Sequence, residues 1–404
     1  MQERDKAPLR STRTVAFPAS PPCRRPRQDA RRPAAAIALL AIAVILLAGC
    51  LQAGHPAQEP RPARTTPVPQ APPSPIPETA TPTPLPLLFI GETRSFTFTS
   101  GGQEYSFAVP VPSGTGEAWP ATCPLMDWRP GDEDLLATFY TGMFRDPREA
   151  PVYDSLLAEF HRIRRMQVLN DDEYLELLTH FVQQIPYDAS APACPRRPDQ
   201  VIHDMTGDCD EKSLLLLGLL DREGYDAAIL LFPDKHHATA GIRIVTDGTP
   251  SFRVYTLGGR KYVYIETTRP SFIGLYPDDF ENADPVVIPT GNGTITYRAI
   301  NDVMHIVSVQ KRMEEKLSWI NATGMVMLDE IDTLEAKLSA GTSYSTQVDF
   351  DADYNRYAAL VTRYNSYVDQ FRQIRDVYLY ILAHQDDRRG VSGRIANSKV
   401  ENLL

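Results

Sequence analysis

The stretch GDCDEKSLLLLGLLDREGYDAAILLFPDKHHATAGI, residues 207–242, decides the fold of this chain. Gly207 is typical of a turn and Asp208 of a helix N-cap, so Cys209 takes the first helical position. The leucines that follow cover nearly the whole circumference of the helix. The sequence therefore predicts a buried helix that carries a cysteine at its N-terminus.

Three strand patterns follow this helix, which ends at Gly224. YDAAILLF predicts a strand to Phe232, a turn spans residues 233–235, and HHATAGIRIV predicts the next strand. KYVYIETT predicts a third strand, with Glu266 near its end. A buried helix followed by strands that are close in sequence indicates an α+β fold, in which the helix packs on an antiparallel sheet.

The position of Cys209 has opposing electrostatic effects on its thiol. The positive end of the helix dipole favours a thiolate. The neighbouring carboxylates of Asp208, Asp210 and Glu211 disfavour it. The helix alone therefore does not activate the thiol, and a nearby base is needed.

The strands supply a base and an acid. His236 and His237 start the second strand and point to opposite faces if it is regular, so at most one of them serves; we favour His237. On adjacent strands His237 and Glu266 become cross-strand neighbours within about 5 Å. A nucleophile, a base and an orienting acid form the arrangement of covalent acyl transfer, and the sequence predicts it for Cys209, His237 and Glu266.

These motifs resemble the transglutaminase-like superfamily, which has a papain-like fold, and most closely its extracytoplasmic archaeal and bacterial members. The resemblance covers roughly residues 157–282. It implies that Cys209 is the nucleophile, that His237, counted back from Gly241, is the base, and that Glu266 takes the third place. The superfamily more often has Asp there, and papain-type enzymes have Asn.

The resemblance leaves the reaction open. Water as acceptor gives a protease or amidase, whereas an amine gives a crosslinking transferase. The substrate in either case is a protein or peptide. A non-catalytic binding or assembly module is the alternative from another class. His203 lies where papain-like enzymes can keep an oxyanion donor, but we favour the simpler interpretation that it is a loop histidine without a role.

The N-terminus predicts export and attachment to a membrane. Basic residues 1–33 precede the apolar run AAAIALLAIAVILLAGC, residues 34–50, whose end resembles a bacterial-type lipobox that places a lipid on Cys50. An uncleaved anchor helix is the alternative, and both place the remainder outside the cytoplasm. The proline-rich residues 51–87 predict an extended spacer.

The remaining segments divide the chain further. SFTFTSGGQEYSFAVPV lies in a predicted β-hairpin segment, residues 88–119, and residues 120–290 form the predicted transglutaminase-like domain, which includes two amphipathic helices. Near-heptad apolar positions predict an antiparallel helical hairpin or coiled coil over residues 291–388, weakened at Gly324 and followed by a tail, residues 389–404. The hairpin either contacts a partner chain or the catalytic domain, or forms a self-contained stalk.

Other features narrow the function. A net charge of −10 argues against a nucleic-acid surface. Zinc spacing and a glycine-rich phosphate loop are absent, so the sequence predicts neither a metal nor a cofactor. The alternate acids of VDFDADYNRY, residues 348–357, fail the calcium-loop pattern, and we expect them to cap the next helix.

In an oxidising compartment Cys123 and Cys194 are predicted to pair, with free thiols as the alternative.

Overall fold

The structure is a computed structural model. It describes residues 91–112, 131–188, 194–246, 252–280, 282–291, 293–340 and 344–404. The predicted signal or anchor, Cys50, the proline-rich spacer and Cys123 lie outside the described residues. The fold is mixed α+β, with antiparallel sheets and C-terminal helices, as predicted at that level.

The predicted β-hairpin is present in the described residues. Strands β1 (Gly91–Ser100) and β2 (Gln103–Pro112) pair antiparallel, with Ser100 opposite Gln103. The two turn residues, Gly101 and Gly102, both have positive φ, at 59° and 72°. Such a two-residue turn matches the twist of the strands and favours glycine at both positions.

Four helices precede the cysteine, and the last three of them contact this hairpin. They are α1 (Glu133–Arg145), α2 (Ala150–Gln167), α3 (Asp171–Gln184) and the short α4 (Pro198–Asp204). Phe98 and Phe107 of the hairpin meet Phe160 of α2 and Phe181 of α3, mostly edge to face. These aromatic contacts bury the inner face of the hairpin against α2 and α3.

The helix that carries Cys209, α5 (Cys209–Arg222), is buried along almost its whole length. The predicted N-cap is confirmed: Asp208 accepts from the Glu211 N–H, and the Glu211 side chain accepts from the Asp208 N–H. Gly218 allows the close approach of α2, because a Cβ there would lie 1.9 Å from the Tyr153 hydroxyl oxygen.

A five-stranded antiparallel sheet covers α5, in the order β5-β6-β4-β3-β7. The strands are β3 (Ala227–Phe232), β4 (His237–Ile244), β5 (Tyr255–Leu257), β6 (Arg260–Ile265) and β7 (Val286–Pro289). The predicted third strand is shorter than expected, since β6 ends one residue before Glu266. Just after the end of β6, the Glu266 carboxylate accepts a hydrogen bond from the N–H of Thr268, two residues later, at 2.8 Å.

The C-terminal part of the chain forms helices α6 (Ile300–Ala340), α7 (Gln347–Ala383) and α8 (Arg388–Ser398). Lys337 pairs with Asp353 near the connecting loop, and Tyr378 donates to Glu314 further away from it, so α6 and α7 run antiparallel. Helix α6 continues through Gly324 without a break. None of the helices in the described ranges is long and apolar enough to cross a membrane.

The predicted tail begins inside α8 and is bound to the rest of the fold. Arg388 of α8 donates to Glu176 of α3 at 2.6 Å and to Asp302 of α6 at 2.5 Å. At the same junction the Gly101 N–H donates to the Asp386 carbonyl at 2.7 Å. The base of the helical hairpin is therefore joined both to α3 and to the β-hairpin turn.

Candidate functional site

The nucleophile predicted from the sequence lies at the start of α5. Cys209 is the first residue of the helix, is 0% exposed and forms no disulfide. Its thiol donates to Asp210 Oδ1 at 3.3 Å. Because the cysteine is the first residue of a capped helix, its backbone is held in the helical conformation.

Ser213, one turn further along α5, fastens this helix start to the sheet. Its hydroxyl donates to the Cys209 carbonyl at 2.6 Å and lies 3.0 Å from the Thr267 hydroxyl and 3.4 Å from the Ala238 carbonyl. Ala238 follows His237 in the chain, and Thr267 follows Glu266. The first turn of α5 therefore lies at the ends of the two strands that carry the predicted base and acid.

The two adjacent histidines have different environments. His236 is exposed at the turn before β4 and adopts a left-handed conformation with φ 47°. His237 begins β4, is half-buried and packs edge to face with Phe280, with ring centroids 5.2 Å apart. His237 Nε2 lies 2.9 Å from the Tyr264 hydroxyl oxygen. Of the two, His237 is the one directed into the fold.

Glu266 is buried, at 4% exposure, and its two carboxylate oxygens have separate partners. Oε1 accepts from the Thr268 N–H at 2.8 Å and from the Thr268 hydroxyl at 2.6 Å. Oε2 accepts from the Tyr264 hydroxyl at 3.4 Å. The Tyr264 hydroxyl therefore lies between the predicted base, His237, and the predicted acid, Glu266.

The backbone at Glu266 is held by α3. The Gln183 amide nitrogen donates to the Glu266 carbonyl at 2.8 Å and to the Ser271 carbonyl at 2.9 Å, and the Gln183 amide oxygen accepts from the Ser271 N–H at 3.3 Å. All three residues are buried. This set of bonds fixes the chain immediately after β6, which is the segment that presents the acid.

Lys212 of α5 is a buried charged group that the sequence analysis did not identify. Its ammonium donates to the Ile185 carbonyl at 2.6 Å and to the Gln183 carbonyl at 3.1 Å, at the C-terminal end of α3. Burial lowers the pKa of Lys212 to about 7, and the charge of Glu266 partly opposes this shift. A lysine three residues after Cys209, in the first turns of a helix predicted to be buried, is the signal that could have identified it.

Tyr264 also had a signal in the sequence. It precedes Glu266 by two residues, so a regular strand places both side chains on the same face. Burial, followed by the charges of Glu266 and Cys209, holds the pKa of Tyr264 well above its usual value. The group between the imidazole and the acid is therefore a neutral hydroxyl.

The other predicted residues lie apart from this cluster. His203 belongs to α4, where its Nδ1 lies 2.9 Å from Asp204 Oδ1. Cys194 is disulfide-bonded, and its predicted partner Cys123 lies outside the described residues. At the start of α7, Thr346 is the N-cap and exchanges hydrogen bonds with Asp349, so one of the alternate acids does contribute to capping.

Among the described residues, no group of three or more His, Cys, Asp or Glu side chains is arranged to hold a metal ion. Comparison with protein-family models, curated proteins and solved structures finds no match to this chain. The resemblance to the transglutaminase-like superfamily therefore stays a prediction from the cysteine, histidine and acid motifs.

Proposed function

We propose that this chain is a membrane-tethered, extracytoplasmic enzyme with a papain-like core that performs thiol acyl transfer on peptide or carboxamide bonds. One observation carries the proposal. Ser213 joins the first turn of α5 to the residues that follow His237 and Glu266. This contact supports the proposal that a cysteine at a helix start, a histidine at a strand start and a buried acid act together from three separate elements.

The chemistry would proceed in two steps. Cys209 Sγ attacks the carbonyl carbon while His237 takes the thiol proton, and a carbon–sulfur bond forms. The carbon–nitrogen bond then breaks as His237 returns the proton to the leaving amine, which leaves a thioester on Cys209. Backbone N–H groups at the start of α5, including that of Cys209, would hold the oxyanion.

The acceptor defines the second half of the reaction. Water would release the acid and make the protein a protease or amidase, whereas an amine would form a new amide and make it a crosslinking transferase. The membrane attachment, through an anchor helix or a lipid on Cys50, rests on the N-terminal sequence. A partner chain for the helical hairpin is also proposed from the sequence, because of the near-heptad apolar positions in residues 291–388.

One observation favours a second candidate, a non-catalytic binding or assembly module. Cys209 is fully buried, and its thiol donates to a carboxylate. A carboxylate acceptor favours the protonated thiol over the thiolate. In the enzyme, substrate binding has to expose the thiol and bring it under the control of His237; in a module, it stays a small buried side chain.

Thiol alkylation separates the two candidates. Iodoacetamide is added to the full chain near neutral pH, and modification of the peptide that contains Cys209 is followed by mass spectrometry. We expect His237→Ala to slow the modification on the order of 10²-fold, because the base is lost. His236→Ala is the matched control and should change the rate little. A rate that is the same in wild type and His237→Ala would support the module and reject the enzyme.

A further inference from the structure

Tyr264 occupies the position between the predicted base and the predicted acid. Its hydroxyl oxygen lies 2.9 Å from His237 Nε2 and 3.4 Å from Glu266 Oε2. The tyrosine is almost fully buried, with 1% of its surface exposed. Among the described residues no hydrogen bond joins Glu266 to His237 directly, so the Tyr264 hydroxyl is the hydrogen-bonded route between the acid and the imidazole.

Counting hydrogen atoms gives the direction of each bond. A tyrosine hydroxyl has one proton to donate, and an ionised carboxylate only accepts. Two donors from Thr268 already bond to Glu266 Oε1, which favours the ionised carboxylate. The Tyr264 proton then points to Glu266 Oε2, and the Tyr264 oxygen accepts from the His237 ring. This requires a proton on Nε2 and leaves the lone pair of the neutral imidazole on Nδ1.

Ring packing keeps this geometry in place. The Tyr264 and His237 rings are stacked, with an angle of 20° between their planes. Phe280 packs edge to face against both rings. These contacts depend on the rings and not on the hydroxyl, so Tyr264→Phe removes the two hydrogen bonds and keeps the packing.

We propose that Tyr264 is a positioning residue that holds neutral His237 as the Nε2–H tautomer and transmits the effect of Glu266 to it, so that Nδ1 is the base directed at Cys209. The role of Nδ1 rests on the proposed function. The assignment of the tautomer does not, because it follows from the hydrogen bonds of Tyr264 and an ionised Glu266 carboxylate. The acid, the hydroxyl and the imidazole then act in series.

The tautomer is tested by nitrogen NMR on the full chain with ¹⁵N-labelled histidine. His237→Ala identifies the signals of His237. When the ring is neutral, wild type should show a protonated Nε2 and an unprotonated Nδ1. Tyr264→Phe should show a mixture of the two tautomers. Tyr262→Phe is the matched control, since it removes a buried hydroxyl of the same strand that bonds to Asp226, and it should keep the wild-type pattern.

Two NMR results would overturn the proposal. One is a wild-type ring that carries its proton on Nδ1. The other is a Tyr264→Phe ring that keeps the wild-type tautomer, because the hydroxyl would then have no part in selecting it. Both results concern the resting protein and require no substrate. They can therefore be obtained even if the proposed acyl transfer is wrong.

A double-mutant cycle tests the serial arrangement. The alkylation rate of Cys209 is measured for Tyr264→Phe, Glu266→Gln and the double variant. Each single change should slow alkylation by about 10-fold or more, and the double variant should be no slower than the slower single variant. If the double variant instead lost alkylation rate by the product of the two single losses, Glu266 would act on His237 by a route that does not include Tyr264. If His237→Ala alone has no effect, the proposed function fails, whereas the tautomer result stands.

Discussion

Arg388 Nε donates to Glu176 Oε1 at 2.6 Å and so joins residues 212 positions apart in the chain. The Tyr297 hydroxyl donates to the same carboxylate oxygen at 2.7 Å. Arg388 and Glu176 are both largely buried. Removing one member of a buried ion pair leaves the other charge without compensation, and this makes the C-terminal helix a determinant of stability.

We therefore expect Arg388→Ala to lower the free energy of unfolding by roughly 3–5 kcal/mol. The neighbouring Arg389 pairs with Glu173 but is 73% exposed, so Arg389→Ala should cost at most about 1 kcal/mol. Urea unfolding of the full chain measures both. Equal losses for the two variants would show that the buried contact does not hold α8 to the core.

Two helical glycines should respond in opposite ways to alanine. At Gly142 in α1, a Cβ would meet no side chain of the described residues within 4 Å, so Gly142→Ala should stabilise the protein by about 0.5–1 kcal/mol. At Gly218 a Cβ would lie 1.9 Å from the Tyr153 hydroxyl, so Gly218→Ala should cost about 1–3 kcal/mol. Thermal unfolding compares them. A stabilising Gly218→Ala would contradict the close packing of α2 on α5.

Lys212 should make stability depend on pH. Burial lowers its pKa from the ordinary value of 10.5 to about 7, so between these values the folded state binds fewer protons than the unfolded state. The free energy of unfolding should therefore rise with pH across this window. The cost of the buried ammonium is fully present below pH 7 and is relieved towards pH 10.5, by on the order of 3–5 kcal/mol.

The comparison is with Lys212→Met, which keeps a long side chain and removes the titration. Urea unfolding at several pH values from 7 to 10.5 gives one profile for each protein, and the difference between them isolates Lys212 from other groups that titrate in this range. We expect the wild-type profile to rise more steeply. Parallel profiles would mean that Lys212 keeps its ordinary affinity for protons inside the fold.

The substitutions at the site should rank in a defined order. Once an acyl donor is identified by trapping a thioester on Cys209 from a pool of cell-envelope peptides, Cys209→Ala should abolish turnover and leave the fold intact. His237→Ala should cost about 10²–10⁴-fold, Glu266→Gln less than that, and His236→Ala little. Turnover on the trapped substrate gives the ranking. Full activity in Cys209→Ala, or a larger loss in His236→Ala than in His237→Ala, would contradict the assignments.

The sequence by itself determined the local features of this protein. The Asp208 N-cap of α5 and the glycine turn of the β-hairpin are both found where the sequence predicts them. Each depends on hydrogen bonds or φ angles within a few residues, so the residue types suffice. Strand alternation predicted only that at most one of His236 and His237 points into the fold, and β4 begins at His237, so His236 lies in the preceding turn and not in the strand as expected.

Only the tertiary structure decided which groups meet. The end of β6 before Glu266, the hydroxyl of Tyr264 between His237 and Glu266, and the burial of Lys212 against the end of α3 all depend on contacts between distant segments. The docking of α8 through Arg388 does so as well. A pattern of residue types gives the face on which a side chain lies. The distance between two side chains is set by strand register and by packing, which bring together residues far apart in the chain.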